Sequence, residues 1–260
     1  MAKKRLIPKL LLKKGGFNKS QYVAVRTKRF SDATQIGEIV SQAKIFQDQL
    51  ADELVVLNID PNLKFDELTK ISNQIADEVF MPLTVGGGID SLKKIEKLLH
   101  NGADKVSINT AAYFNPNIIL ESSTNFGKST IVVSIDYKYD MLGDEIVYIK
   151  NGSHRTLMKV IDWVEKVENL GAGEIHLNSI EKDGKEEGLD LRLAKKIEKS
   201  TKLPIVISGG CGLSSHFSEG FLKTNVSGIS AGTFFALKDQ NFIQTRAQIL
   251  NTGVSIREGK

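Results

Sequence analysis

The sequence predicts an α/β chain folded as a (β/α)8 TIM barrel with a twofold half-barrel repeat, and three observations carry that reading. Short β-branched runs alternate with longer amphipathic ones, the pattern of a parallel sheet wrapped by helices. Two runs, Thr84-Val-Gly-Gly-Gly-Ile89 and Ile205-Val-Ile-Ser-Gly-Gly210, share one design: an apolar strand ends in glycines and leads into a helix. The spacing between the copies is constant. Gly87 and Gly209 lie 122 residues apart, as do Asn109 and Ala231, while Glu53 and Glu174 lie 121 apart.

The 260 residues match the length of about 250 typical of such barrels, and residues 1–260 read as a single domain. A doubly wound open sheet is the alternative, but twofold repetition of a four-strand unit closes a barrel more naturally. Eight strands are expected, at residues 5–12, 53–59, 82–86, 104–108, 130–136, 173–178, 204–208 and 227–231. Helical spacing follows at 91–100, 156–170 and 189–200 among others. Two connections exceed the usual few residues. They cover 15–34 after the first strand and 137–156 after the fifth, where the alternation of Glu145-Ile-Val-Tyr-Ile149 suggests a small hairpin. Both leave the C-terminal ends of strands, the catalytic face of such barrels, which makes them candidate lids or else tolerated surface insertions.

Composition excludes several classes. The net charge of +4 comes from lysines scattered along the chain, so no nucleic-acid partner is implied. The single Cys211 cannot form an internal disulfide, and His100, His154, His176 and His216 show no metal-ligand spacing. A reducing, cytoplasmic setting with no metal and no cofactor is expected. Lys9 interrupts the apolar run near the start, which argues against a signal peptide, and no stretch reaches the ~20 apolar residues of a membrane span. His176 reads as a packed strand residue and Trp163 as a helix-packing one.

Glycines after a strand let backbone amides approach an anion, and the following helix N-terminus adds favourable charge interaction. Gly87 and Gly88 pair with Asn109 and Thr110, and Gly209 and Gly210 pair with Ala231 and Gly232. Two such units across one barrel point to a ligand phosphorylated at both ends. The same glycines would also serve tight turns with no ligand at all.

At these residues the chain resembles HisF, the cyclase subunit of imidazole glycerol phosphate synthase, over essentially its full length. The resemblance rests on Arg5-Leu-Ile-Pro8, Lys13, the Thr84–Ile89 run, Gly102-Ala-Asp-Lys-Val-Ser-Ile-Asn-Thr-Ala-Ala112, Ile135-Asp136 and Asp162-Trp163. Gly171-Ala-Gly-Glu-Ile175, Asp183-Gly184 and Ser208-Gly-Gly210 add to it. It implies a HisH-like glutaminase docked on the N-terminal face of the barrel, with ammonia passing through to a phosphorylated substrate at the other end.

Arg5, Glu53, Lys105 and Glu174 stand at strand starts, where two positive and two negative charges can pair around the barrel axis. The resemblance matches them to the ammonia gate, and a purely structural salt-bridged plug is the alternative. It also gives Asp136 a catalytic acid/base role. Lys19 matches a mobile-loop lysine, and Asn178, Ser179 and Asp183 are expected at the substrate mouth.

One departure is informative. The family reads Pro-Cys-Leu-Asp-Val-Lys at the end of the first strand, with a catalytic aspartate, where this chain has Pro8-Lys-Leu-Leu-Leu-Lys13. Leu11 cannot move a proton, and losing one positioned acid/base costs about 10²- to 10⁴-fold. Asn58 likewise replaces an aspartate. A Leu-Leu-Leu-Lys first strand resembles the WbuZ-type subgroup, which implies amidation of an N-acetyl sugar for surface polysaccharide, with a separate N-acetyl sugar amidotransferase as partner. The expectation is therefore a weakened cyclase that channels ammonia to sugar amidation, and the alternative is a true cyclase subunit of histidine biosynthesis.

Overall fold

The computed structural model describes residues 3–15, 21–237 and 241–257. Its strands are β1 (Arg5–Gly15), β2 (Gln21–Lys28), β3 (Ser31–Glu38), β4 (Leu54–Asn58), β5 (Leu83–Gly86), β6 (Lys105–Ile108), β7 (Ile131–Tyr139), β8 (Glu145–Ile149), β9 (His154–Lys159), β10 (Glu174–Ser179), β11 (Ile205–Ser208) and β12 (Gly228–Ala231). Eight of them, β1, β4, β5, β6, β7, β10, β11 and β12, pair in parallel. The sheet is closed because β1 meets β12 on one side, through Arg5↔Gly228 to Pro8↔Ala231, and β4 on the other, through Lys9↔Val55 to Leu12↔Asn58. Pro8 has no N–H to donate, and it stands where β1 passes from one partner to the next. The expected TIM barrel is the observed one.

The two halves, led by β1 and β7, each carry an antiparallel addition at the same place. The described residues of the first long connection form strands: β1 continues to Gly15 and pairs with β2, which pairs with β3. The second contains the expected hairpin and more, since β8 pairs with β7 and then with β9. That third strand corrects one helix boundary. Thr156 donates its hydroxyl to the Val147 carbonyl at 2.8 Å inside β9, so the helix expected from 156 begins only at Val160.

The helices are α1 (Ile39–Asp48), α2 (Phe65–Ala76), α3 (Leu92–Leu99), α4 (Thr110–Phe114), α5 (Asn117–Phe126), α6 (Val160–Asn169), α7 (Leu191–Ile197), α8 (Ser214–Lys223), α9 (Thr233–Leu237) and α10 (Phe242–Leu250). Asp190 starts α7 by accepting from the Arg192 and Leu193 amides, which offsets unpaired donors at the helix end. Trp163 on α6 is buried and packs edge-on against Tyr113. No helix among the described residues is long and apolar enough to cross a membrane.

Side chains alternate across each strand, and this sorts the core into two. Leu6, Leu10, Leu12, Val56, Val106, Ile135, Ile175 and Leu177 join the large layer shared with the helices. Ile7, Val55 and Val206 form a separate small cluster, with Leu57 against it, inside the barrel. The charged side chains of Arg5, Glu53, Lys105 and Glu174 lie below that inner layer, and Lys9, Asp136 and neutral polar groups lie above it, which positions the site.

Candidate active site

The barrel floor is a closed ring of charge. The Arg5 guanidinium Nη1 donates to Glu53 Oε1 at 2.8 Å and to Glu174 Oε2 at 3.0 Å. Lys105 Nζ reaches Glu53 Oε2 at 3.3 Å and Glu174 Oε2 at 3.2 Å. Burial alone would drive Arg5 down, but Glu174 and Glu53 outweigh it and hold the guanidinium above its ordinary value. Burial likewise works against ionised Glu53, yet Arg5 and Lys105 keep its carboxyl below the usual range. The structure thus brings together all four residues expected at the floor. Beside them lies a second buried pair, Arg246 with Asp52 at 2.8 Å, whose other oxygen accepts from the Leu6 amide.

Above the inner apolar cluster opens a cavity of about 620 Å³, lined among others by Lys9, Leu11, Asn58, Asn109, Asp136 and Asn178. Asp136, near the C-terminal end of the β7 barrel register, is buried and doubly held. Its Oδ1 accepts from Asn178 Nδ2 at 3.0 Å, and its Oδ2 accepts from Asn109 Nδ2 at 2.9 Å. Burial pushes its pKa up to about 6, against the opposing hydrogen bond from Asn178, the Lys9 charge and the hydrogen bond from Asn109. A carboxylate poised near neutrality suits general acid/base work.

The sequence alone does not mark Lys9 as a site residue. Its Nζ donates to Asn178 Oδ1 at 3.0 Å and to Ser208 Oγ at 2.9 Å, deep in the barrel. A signal exists all the same: Arg5, Ile7, Lys9, Leu11 and Lys13 share one parity on β1, the parity of the barrel interior. His176, below Asn178 on β10, is neutral at ordinary pH because burial, then Lys9 and Arg5, drive its pKa down to about 3.

The two glycine pairs adopt matching conformations. Gly87 and Gly88 have φ of 91° and 74°, and Gly209 and Gly210 have 95° and 102°, the left-handed region open to glycine. A side chain at Gly87 would collide with the Asn58 carbonyl, and one at Gly209 would stand 2.6 Å from the Ser179 carbonyl. The twofold repeat thus extends to the backbone approach beneath each glycine. Gly87, Gly88, Asn109 and Thr110 line the large cavity, whereas Gly209, Gly210, Ala231 and Gly232 line a smaller one of about 30 Å³. The Thr110 hydroxyl also accepts from the Lys150 amide at 2.9 Å, tying it to the β8–β9 turn.

Three expected mouth residues sit differently. Asn178 faces the cavity. Ser179, the next residue, points to the opposite side of β10 and meets the Tyr137 hydroxyl, because strand alternation cannot present both. Asp183 lines the smaller pocket, and its carboxylate is occupied by Thr27 Oγ1 at 2.6 Å and the Phe30 amide at 3.3 Å. It fastens the β2–β3 addition to the barrel. Lys19 lies outside the described residues.

A family model described as histidine biosynthesis protein matches residues 5–240. The imidazole glycerol phosphate synthase subunit HisF of Hydrogenobaculum sp. (strain Y04AAS1) is 39% identical over 258 residues, covering 99% of this chain and 100% of that protein. The subunit of the same name from Staphylococcus saprophyticus is 38% identical over 259 residues, with 99% and 100% covered. That of Methanocaldococcus jannaschii is 43% identical over 242 residues, with 85% and 86% covered. The chain belongs to the HisF family.

Within this HisF-family barrel, the two departures read from the sequence both face the cavity. Leu11 lines it beside Lys9 and Lys13, and Asn58 lines it while its Oδ1 accepts from the Asp60 amide at 2.9 Å. Asp136 and Lys9 are the buried ionisable residues of the cavity wall.

Proposed function

We propose that this chain is the ammonia-accepting barrel subunit of a cytoplasmic glutamine-dependent synthase, with a HisH-like glutaminase on its N-terminal face. One observation carries the reading: the ring of Arg5, Glu53, Lys105 and Glu174 at the floor, directly below a cavity holding Asp136. Charges that already satisfy one another offer little to a bulk ion. The Lys105 contacts are the longest of the ring, so its amine is the member that parts most easily to admit neutral ammonia.

At the upper end, Gly87, Gly88, Asn109 and Thr110 take one phosphate of the acceptor, and Gly209, Gly210, Ala231 and Gly232 take the other. Asp136 moves a proton, and Asn178 orients it. The names of the relatives favour imidazole glycerol phosphate formation, an ammonia-dependent lyase and cyclase step of histidine biosynthesis, as the reaction. Supplying the purified chain with ammonium salt and the ribulose-form bisphosphate precursor tests this, and the account expects turnover to the imidazole product.

Leu11 favours a second reading, in which the barrel hands ammonia to an N-acetyl sugar amidotransferase. Under that reading the bisphosphate precursor is left unconverted, and glutaminase activation requires the sugar-amidating partner.

A further inference from the structure

Lys9 occupies a position that the floor, the glycines and Asp136 leave unexplained. It lines both the large cavity and the smaller glycine pocket, sharing that place only with Leu11 and Thr27 among the residues lining the two. It is therefore the ionisable group where a ligand reaching from one glycine pair to the other would cross the barrel. Its amine meets two neutral oxygens, Asn178 Oδ1 and Ser208 Oγ, and among the described residues no carboxylate at contact distance. A cation kept for structure looks different in this protein. Arg246, equally buried, lies 2.8 Å from Asp52.

We propose that Lys9 is a proton-transfer residue of the upper site, acting with Asp136 across Asn178 on the middle of a phosphorylated keto-sugar ligand. This rests on the phosphate reading of the two glycine pockets given above. Asn178 orients both groups, accepting from the Lys9 amine through Oδ1 and donating to Asp136 through Nδ2, and does not itself carry a proton. Among the described residues, the charged or titratable groups facing the amine are Asp136 on β7, His176 on β10 and Asp183 beyond β10. Burial lowers the proton affinity of Lys9, with Asp183 and Asp136 opposing. An amine in that state exchanges its proton readily. In one turnover the Asp136 carboxylate takes a proton from the ligand and the Lys9 ammonium gives one to a departing or newly charged oxygen. Exchange with solvent then restores both groups, and no oxidant or further reactant enters.

The test compares wild type with Lys9→Met, which keeps the stem, and Lys9→Arg, which keeps a cation that does not deprotonate near neutrality. Ammonium-driven turnover of the ribulose-form bisphosphate is followed across pH, beside equilibrium binding of the same compound. Both variants are expected to lose about 10²- to 10⁴-fold in kcat while KM and Kd change by less than about threefold. The alkaline limb of the wild-type profile should vanish. Lys9→Arg turning over at the wild-type rate means that charge alone is required, and overturns the proposal. Wild type that does not convert this compound sinks the acceptor reading alone, and Lys9 is then judged by carbon NMR with lysine labelled at the ε-carbon. The resonance missing from the variants should titrate below the surface lysines and move on saturation with the bisphosphate or inorganic phosphate. Titration alongside the surface lysines, with indifference to both anions, overturns the proposal. If Lys9→Met does not fold, Lys9→Arg supplies the assignment and the kinetics.

Discussion

Asn178 donates to Asp136 at 3.0 Å from the neighbouring strand, in a parallel register that sets the two residues side by side on β10 and β7. The contact makes the buried carboxylate tolerable without neutralising it. Its proton affinity therefore links the site to the stability of the barrel.

Asp136 should show this as a pH effect. Burial raises its pKa from 3.8 to about 6, so between these values the folded chain holds a proton that the unfolded chain has released. Stability contributed at low pH is lost as pH rises through that window, on the order of 3 kcal/mol in the limit. Denaturant unfolding of wild type and Asp136→Asn at several pH values should give a difference that moves against wild type between about pH 4 and about pH 7. A difference independent of pH would contradict the buried-carboxylate account.

His176 should do the reverse. Its pKa falls from 6.5 to about 3 through burial and the cations Lys9 and Arg5, so the unfolded chain takes up a proton first as pH drops. Stability present above 6.5 is lost toward acid, by about 3 kcal/mol between pH 7 and pH 4. His176→Leu should remove that acid sensitivity. Equal acid sensitivity in the two proteins would show that the imidazole is not held neutral.

The barrel architecture was legible because its signals are periodic. Alternation placed the strands, and the spacing of 122 residues between Gly87 and Gly209 announced the half-barrel repeat. The floor was legible too, since Arg5, Lys105 and Glu174 each open a strand and Glu53 stands just before one. Lys9 was hidden by its neighbours. A lysine in Pro8-Lys-Leu-Leu-Leu-Lys13 reads only as a break in an apolar run until closure of the barrel places its parity inside. Ser179 follows the same rule, since parity turns it to the side of β10 opposite Asn178. The β2 and β3 strands carry charge and glycine, which read as a connection. The pairing of β2 with β1 and of β3 with β2, together with the hold of Thr27 and the Phe30 amide on Asp183, makes them a lip.

The glycine pairs separate backbone strain from collision. Gly88 has φ 74° but open space where a methyl would stand, whereas Gly87 has φ 91° and the Asn58 carbonyl in the way. Gly88→Ala should cost about 1 kcal/mol and Gly87→Ala clearly more, in line with incompatible backbone plus overpacking. Phosphate or bisphosphate affinity, measured by calorimetry, should fall further for Gly87→Ala. Equal affinities in the two variants would remove the first glycine pair from the proposed grip.

The floor ring should be unequal in its tolerance. Glu53 holds both Arg5 and Lys105, and Arg5 is nearly inaccessible. Glu53→Gln leaves the buried Arg5 underpaired and should destabilise by about 3 to 5 kcal/mol. Lys105→Met removes the more accessible member, with its side chain 18% exposed, and should cost less. Urea unfolding of both variants decides the order, and the reverse order would contradict a ring in which Lys105 is the part that moves.

The central claim is that ammonia reaches the upper cavity through the barrel and not from solvent. The direct measurement pairs the chain with a HisH-like glutaminase, supplies glutamine labelled with nitrogen-15 at the amide together with unlabelled ammonium salt, and reads the label in the product formed from the bisphosphate precursor. The account predicts product carrying the glutamine label almost undiluted, and dilution on Glu53→Gln. Product whose label matches the bulk ammonium pool would contradict it.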